Sequence, residues 1–376
     1  MQPLTGITVL DFSTLLPGPL ATLVLAEAGA RVIKVERPGP GDGQRQLGTP
    51  YGETTAQFAQ LNRGKRSVAI DLKSANAFER LKPLIETADV LVEQFRPGVM
   101  DRLGLGYDRL KALNPKLIYC SLTGYGQRGP KAMEAGHDLN YLAETGLLML
   151  SADKDGTPVL PPALLADIGG GAYPVVINVL LALRQRERDG GGCALDIAMS
   201  DNVFPLASWA LGHLEVTGCA PVPGGEMFTG GSPRYQIYRT SDRRYLAAAP
   251  LEQKFWDNFC DVIGLDEKAR DDDADPVATK RAVAEIIAGR SAADWIAAFD
   301  GVDACVCIAT DLKSAVGDPH FSDRGLFAHR VGSADSNLVA ATVPVAPQFR
   351  ASPGLVPFPP LGEANEEFFD EASTES

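Results

Sequence analysis

One of only four histidines in this chain stands in the run Gly136-His137-Asp138-Leu139-Asn140-Tyr141, between a glycine-rich loop and a helix-like apolar stretch. Histidine is the one side chain whose ordinary titration lies near neutrality, so a helix entry flanked by Asp138 and Asn140 suits a general base. A second acid, Asp167, opens Ile168-Gly169-Gly170-Gly171-Ala172 at the start of another helical pattern. Two proton-transfer groups at two helix mouths outline acid–base chemistry. The same residues also fit a structural role, with Asp138, Asn140 or Asp167 as helix caps and His137 as a hydrogen-bonded loop residue. Local sequence leaves both readings open.

The elements that must position these groups read as alternating strands and helices. Ile7–Phe12 is a short apolar run, Pro17–Ala28 carries helical spacing, and Arg31–Glu36 is a second strand. The pattern continues through Ser67–Leu72, a helix near Ala75–Thr87, Asp89–Phe95, Leu117–Thr123, a long apolar helix near Gly169–Arg188 and a strand at Cys193–Met199. Alternation of this kind predicts an α/β fold with a Rossmann-like, open parallel sheet covered on both faces. Ligands of such sheets sit beyond the carboxyl ends of the strands, where Arg37, Lys73, Arg96 and Arg102 fall and where a phosphate-bearing ligand would meet them. The turn after Phe12 lacks G-x-G-x-x-G, which disfavours a nicotinamide dinucleotide. Residues 218–233 hold three prolines and five glycines and read as a linker. Beyond them, two alternating strands around Ser241-Asp242-Arg243-Arg244 and three helical stretches predict a smaller α+β domain.

Composition narrows the function classes. With 376 residues, 45% hydrophobic and 22% charged, the chain suits a soluble two-domain enzyme. A net charge of -13 argues against nucleic-acid binding, which needs a basic surface. Six scattered cysteines fit neither a disulfide scaffold nor a zinc site and read as reduced thiols in a cytoplasmic protein. His213, His320 and His329 lack paired ligand spacing, so no metal is expected. No signal peptide is evident, no apolar run reads as long enough to span a bilayer, and no membrane partner is expected. The absence of a G-x-S-x-G elbow removes the usual serine hydrolase reading.

Several motifs are recognisable together: Gly29-Ala30-Arg31-Val32-Ile33-Lys34-Val35-Glu36, Asn62-Arg63-Gly64-Lys65-Arg66-Ser67, Phe95-Arg96-Pro97-Gly98, Leu103-Gly104-Leu105-Gly106 and Thr123-Gly124-Tyr125-Gly126-Gln127. With Asp318-Pro319 and Arg324-Gly325 late in the chain, they resemble the class III CoA-transferase (CaiB/BaiF-like) superfamily over nearly the whole length. Within it, Ala135–Tyr141 and Ala166–Gly171 are most similar to the α-methylacyl-CoA racemase branch. The resemblance implies that His137, Asp167 and Glu252 are catalytic. It also implies that Arg37, Ile70, Asp71, Leu72, Lys73, Gln94, Phe95, Arg96 and Arg102 hold CoA, and that Gly136, Asp138, Leu139, Asn140 and Tyr141 surround the thioester with His137. The reaction implied is racemisation of 2-methyl-branched acyl-CoA thioesters through an enolate; CoA transfer between carboxylic acids through Asp167 is the alternative. CoA belongs to the substrate, so no separate cofactor is implied. An intertwined homodimer is also implied, with a large CoA-binding domain over 1–217, the linker 218–233, a small domain over 234–325 and a C-terminal return to the large domain over 326–376. Two departures stand out. Ser232-Pro233-Arg234-Tyr235 puts a cation where the acyl chain is expected, and Ala364-Asn365 replaces the expected His-Thr.

Overall fold

The computed structural model describes residues 2–153, 155–340 and 342–370. Six short runs rich in Val, Ile and Leu form the main sheet: β1 (Thr8–Phe12), β2 (Arg31–Glu36), β3 (Arg66–Ala69), β4 (Val90–Glu93), β5 (Ile118–Thr123) and β6 (Ala194–Ala198). Every pairing is parallel, in the spatial order β3-β2-β1-β4-β5-β6. This doubly wound order reverses direction between β1 and β4 and leaves a crevice beyond their carboxyl ends. Successive side chains alternate across the sheet. Leu10, Phe12, Ile33, Val35 and Leu91 therefore join a core with Leu81, Leu84 and Ile85 of the helix Ala77–Thr87. The opposite face carries α1 (Pro17–Glu27), whose Thr22 hydroxyl reaches β1.

The chain divides into two compact units. The first comprises Met1–Thr145, Pro162–Leu206 and Asp318–Ser376; the second comprises Gly146–Pro161 and Ala207–Gly317. The boundaries differ from the sequence expectation in three places: Gly146–Pro161 groups with the second unit, the first unit stops at Leu206, and the return begins at Asp318. Residues 218–233, read as a linker, pack into the second unit, where Lys280 and Gln236 both donate to the Gly230 carbonyl and Phe228 meets the Trp209 ring edge-on. In the first unit the C-terminal segment covers the β3 edge. Asn365 accepts from Ala69 N at 2.8 Å and donates back to its carbonyl at 3.2 Å, while Glu363 takes both arms of Arg66. The unexpected Ala364-Asn365 thus supplies the backbone partners that an exposed strand edge lacks.

The glycine run after Asp167 does not start an α-helix as the spacing predicts. Ala166–Ala172 winds as a π-helix and continues into the α-helix Tyr173–Asp189. The whole stretch is long and apolar enough, by length and composition, to cross a membrane, contrary to the sequence expectation, although half of its most apolar window is buried inside the protein. Gly170 permits a close approach to the neighbouring chain, because a Cβ there would lie 2.5 Å from the Met199 carbonyl oxygen.

The second unit holds its own core. β7 (Gln236–Arg239), β8 (Tyr245–Ala248) and β9 (Val306–Ile308) form an antiparallel sheet in the order β9-β8-β7. The helices Gln253–Ile263, Pro276–Ala288 and Ala292–Ala298 close over it through Trp256, Phe259, Val283 and Trp295.

Beneath the crevice of the first unit lies a buried ionic network. Lys65 Nζ is enclosed by Asp11 Oδ2 at 3.0 Å, Thr22 Oγ1 at 2.8 Å, Asn62 Oδ1 at 2.9 Å and the Pro19 carbonyl at 2.9 Å. Lys34 Nζ pairs with Asp42 Oδ2 at 2.9 Å and donates to the Ser13 carbonyl at 2.8 Å. Burial alone would raise the Asp11 carboxyl, but Lys34 and Lys65, with the hydroxyls of Ser13 and Thr22, hold it below the usual carboxylate range. Replacing Lys65 by Met leaves Asp11 charged and short of its nearest cation. We expect a loss of about 3–5 kcal/mol, read as a lower urea midpoint at unchanged slope, with partial recovery on adding Asp11→Asn. Strict additivity of the two changes would show that these charges do not sustain each other.

Candidate active site

The turn between β1 and α1 sits at the mouth of the crevice, and the ionic network shapes it. Leu15 adopts a left-handed backbone with φ 62°, rare for a residue with a side chain. Its N–H donates to Asp42 Oδ1 at 3.0 Å, while the neighbouring Ser13 carbonyl is held by Lys34. Pro17 and Pro19 in the first turn of α1 carry no N–H, and the N–H of Gly18 between them donates to Gln94 Oε1 at 3.3 Å. In a dinucleotide-binding fold this helix start would present backbone donors to a pyrophosphate. Here those donors are missing or taken.

Among the cavities along the carboxyl edge of the sheet, two share Leu15 and Phe95 in their walls. The first, of about 500 Å³, lies over β1, β2 and β3 and brings together Arg37, Ile70, Asp71, Leu72, Lys73 and Phe95. The second, of about 410 Å³, collects Gln94, Phe95, Arg96, Gly136, His137, Asn140, Tyr141 and Asp167. Its wall also includes Thr123 and Met199, which the sequence reading did not count among the site residues.

Several expected ligand contacts are occupied internally. Gln94 caps α1, as described above. Asp138 is buried, absent from the cavity wall, and accepts from Ala166 N at 2.7 Å and Asp167 N at 2.9 Å through one oxygen. Its carboxylate therefore ties the helix α2 (Asp138–Glu144) to the π-helix that carries Asp167. Asn140 Oδ1 accepts from the His137 N–H at 3.0 Å and so fixes the start of α2. Leu139 is exposed and lies outside both cavities, as does Arg102 on the short helix Val99–Arg102. Tyr141 donates to the Gly136 carbonyl at 2.6 Å. Its ring lies so close to Gly136 and Gly124 that a Cβ at either would approach within 2.6 Å, which explains both glycines.

Asp167 and His137 thus face one cavity, held by Asp138 and Asn140 respectively. Burial pushes the Asp167 carboxyl up to about 6, the charge of Asp138 adds to this, and His137 opposes it. A carboxyl that takes up and releases a proton near pH 6 is suited to general acid–base work, as is an imidazole exposed to the same space. Glu252, in the second unit, precedes the helix Gln253–Ile263 and makes no side-chain capping bond to it. Arg234, expected near the acyl chain, is bound instead to the Asp272 carboxylate, with Nη2 2.6 Å from Oδ1.

Because the folded state holds the Asp167 proton more tightly than the unfolded chain, this carboxyl favours folding fully only below about pH 4. That contribution is lost as pH rises through about 6. Asp167→Asn should therefore stabilise the protein at pH 8 by about 1–2 kcal/mol, after discounting for its partial exposure. The gain should vanish at pH 4 in thermal or urea unfolding, and a gain independent of pH would contradict the assignment.

The family model described as CoA-transferase family III matches residues 4–365. The chain is 34% identical over 374 residues to the human alpha-methylacyl-CoA racemase, covering 98% of this chain and 93% of that one. It is 33% identical over 333 residues to the acetyl-CoA:oxalate CoA-transferase of Acetobacter aceti, covering 86% and 85%. The crystal structure of Rv3272 from M. tuberculosis superposes with a TM-score of 0.84 at 31% identity, covering 98% of this chain and 99% of the other. On the doubly wound sheet, the cavities at its carboxyl edge and a match spanning almost its whole length, the chain belongs to CoA-transferase family III.

Proposed function

We propose that the protein interconverts the epimers of 2-methyl-branched acyl-CoA thioesters. The observation that carries this reading is the placement of His137 and Asp167 in the wall of one cavity, with the Asp167 carboxyl near 6. Racemisation beside a thioester carbonyl needs one group to remove the α-proton and another to return a proton to the opposite face. In one direction the electron pair of the broken C–H bond passes into the enolate, and the carboxylate or the imidazole takes the proton. The conjugate acid of the other group then protonates the α-carbon. The reverse direction exchanges the two roles. Glu252 takes part in the same reaction in this reading, as the resemblance implies. The CoA moiety is assigned to the larger cavity, where Arg37 and Lys73 offer cations beside the apolar Ile70, Leu72 and Phe95.

A second reading is favoured by the same carboxylate. Attack of Asp167 on a thioester carbonyl would expel CoA thiolate and leave a mixed anhydride. Return of the thiolate to the aspartyl carbonyl would release the acyl carboxylate and form an aspartyl-CoA thioester. CoA transfer needs only Asp167, whereas racemisation also requires a second proton-transfer group, and His137 in the same wall supports the latter.

In this reading the enzyme works in the cytoplasm as an intertwined homodimer. The helix Tyr173–Asp189 supports the dimer, because Tyr173, Ile177, Leu180 and Leu181 lie three or four residues apart, or adjacent, and remain exposed. Light scattering should give twice the chain mass of 40.0 kDa.

Incubating a single epimer of a 2-methylacyl-CoA with the enzyme should yield a near-equal mixture of both. His137→Gln should slow this by about 10²- to 10⁴-fold. Borohydride added during turnover should leave Asp167 intact. Retained configuration across a panel of branched thioesters, together with borohydride modification of Asp167, would replace this reading with CoA transfer.

A further inference from the structure

In the second unit one side chain, Arg234, contacts the residues on both sides of Glu252. The Arg234 guanidinium meets the Asp272 carboxylate through Nε at 3.0 and 2.9 Å and through Nη2 at 2.6 Å. It also lies over the Trp256 ring at 5.1 Å from its centre. Trp256 is fully buried and Asp272 is 7% exposed, so the guanidinium is anchored to the core of this unit. Its remaining donors go to the two residues that flank Glu252. Nη1 donates to the Leu251 carbonyl at 3.3 Å and Nη2 donates to Gln253 Oε1 at 3.0 Å.

Glu252 itself stands just before the helix Gln253–Ile263 with extended backbone, and its carbonyl accepts from Phe255 N and Trp256 N, both at 3.0 Å. Its carboxylate is not used to cap that helix, and the residue is exposed. A bidentate guanidinium is a rigid fork, so it fixes Leu251 and Gln253 relative to the core more tightly than a lysine would.

We infer that Arg234, held by Asp272, is a positioning residue that fixes Glu252 through the Leu251 carbonyl on one side and the Gln253 side chain on the other. The inference rests on the racemase reading of Glu252 and adds to it the device that orients the residue. A charged group displaced by about an ångström loses much of its catalytic effect.

The test follows epimerisation of a single 2-methylacyl-CoA epimer by the full-length enzyme. Arg234→Met should lower kcat about 10- to 100-fold with KM little changed, and Arg234→Lys should restore part of the loss. The double variant Arg234→Met/Glu252→Gln should be no slower than Glu252→Gln alone, because a positioning residue has nothing left to position. If Arg234→Met fails to fold, Asp272→Asn takes its place and should show the same fall in kcat and the same coupling to Glu252→Gln. A slow Glu252→Gln beside a fast Arg234→Met would overturn the proposal alone, as would losses that multiply in the double variant. A wild-type rate for Glu252→Gln would overturn the reading of Glu252 and the proposal with it.

Discussion

Lys34 and Lys65 carry two positive charges into the interior beside the sheet, and neither is tolerable there without Asp11 and Asp42. The four side chains come from β1, β2, the residue before β3 and the loop after β2. Pairing them fixes three neighbouring strands relative to one another and to α1. The same atoms reach the crevice, because Lys34 holds the Ser13 carbonyl and Asp42 holds the Leu15 N–H. A left-handed leucine at that point is costly by itself and persists only where its surroundings determine it. The network supplies that determination, and Leu15 in turn stands in the walls of both cavities.

A common sheet topology is thereby turned away from dinucleotides. The strand order is that of nucleotide-binding folds, yet the helix start at the switch point carries prolines at its first and third positions and a side-chain cap on the glycine between them. The cavities lie instead at the strand ends and along the segments carrying His137 and Asp167. A single carboxylate, Asp138, holds those segments together. Burial raises the Asp167 carboxyl, and the charge of Asp138 adds to it, so the residue that ties the two segments also contributes to proton affinity at the site.

Much of this was legible in the sequence. The alternation of apolar runs with helical spacing gave every strand of the main sheet to within a few residues, and residue type together with resemblance singled out His137 and Asp167. The ionic network was not legible as such. Lys34 and Lys65 lay inside the very motifs that carry the resemblance, but neither lysine gives a sign of its partner, Asp42 in a loop for Lys34 and Asp11, 54 positions away, for Lys65. Asp138, Asn140 and Gln94 were assigned to the substrate through the resemblance alone; the internal bonds by which they hold α1, α2 and the π-helix could not be read from the sequence. Periodicity could not separate the π-helix at Ala166–Ala172 from an α-helix, since the apolar spacing of so short a run is the same for both. Arg234 was read as a cation near the acyl chain, and nothing in the sequence signals its partner Asp272, 38 residues later.

The central claim is that this family III scaffold moves a proton at the α-carbon. Its most direct test is mass spectrometry of a 2-methylacyl-CoA recovered after incubation with the enzyme in D₂O. One deuterium should be incorporated at the α-position, at a rate that falls sharply in His137→Gln. A thioester recovered without deuterium after many turnovers' worth of enzyme would contradict the claim.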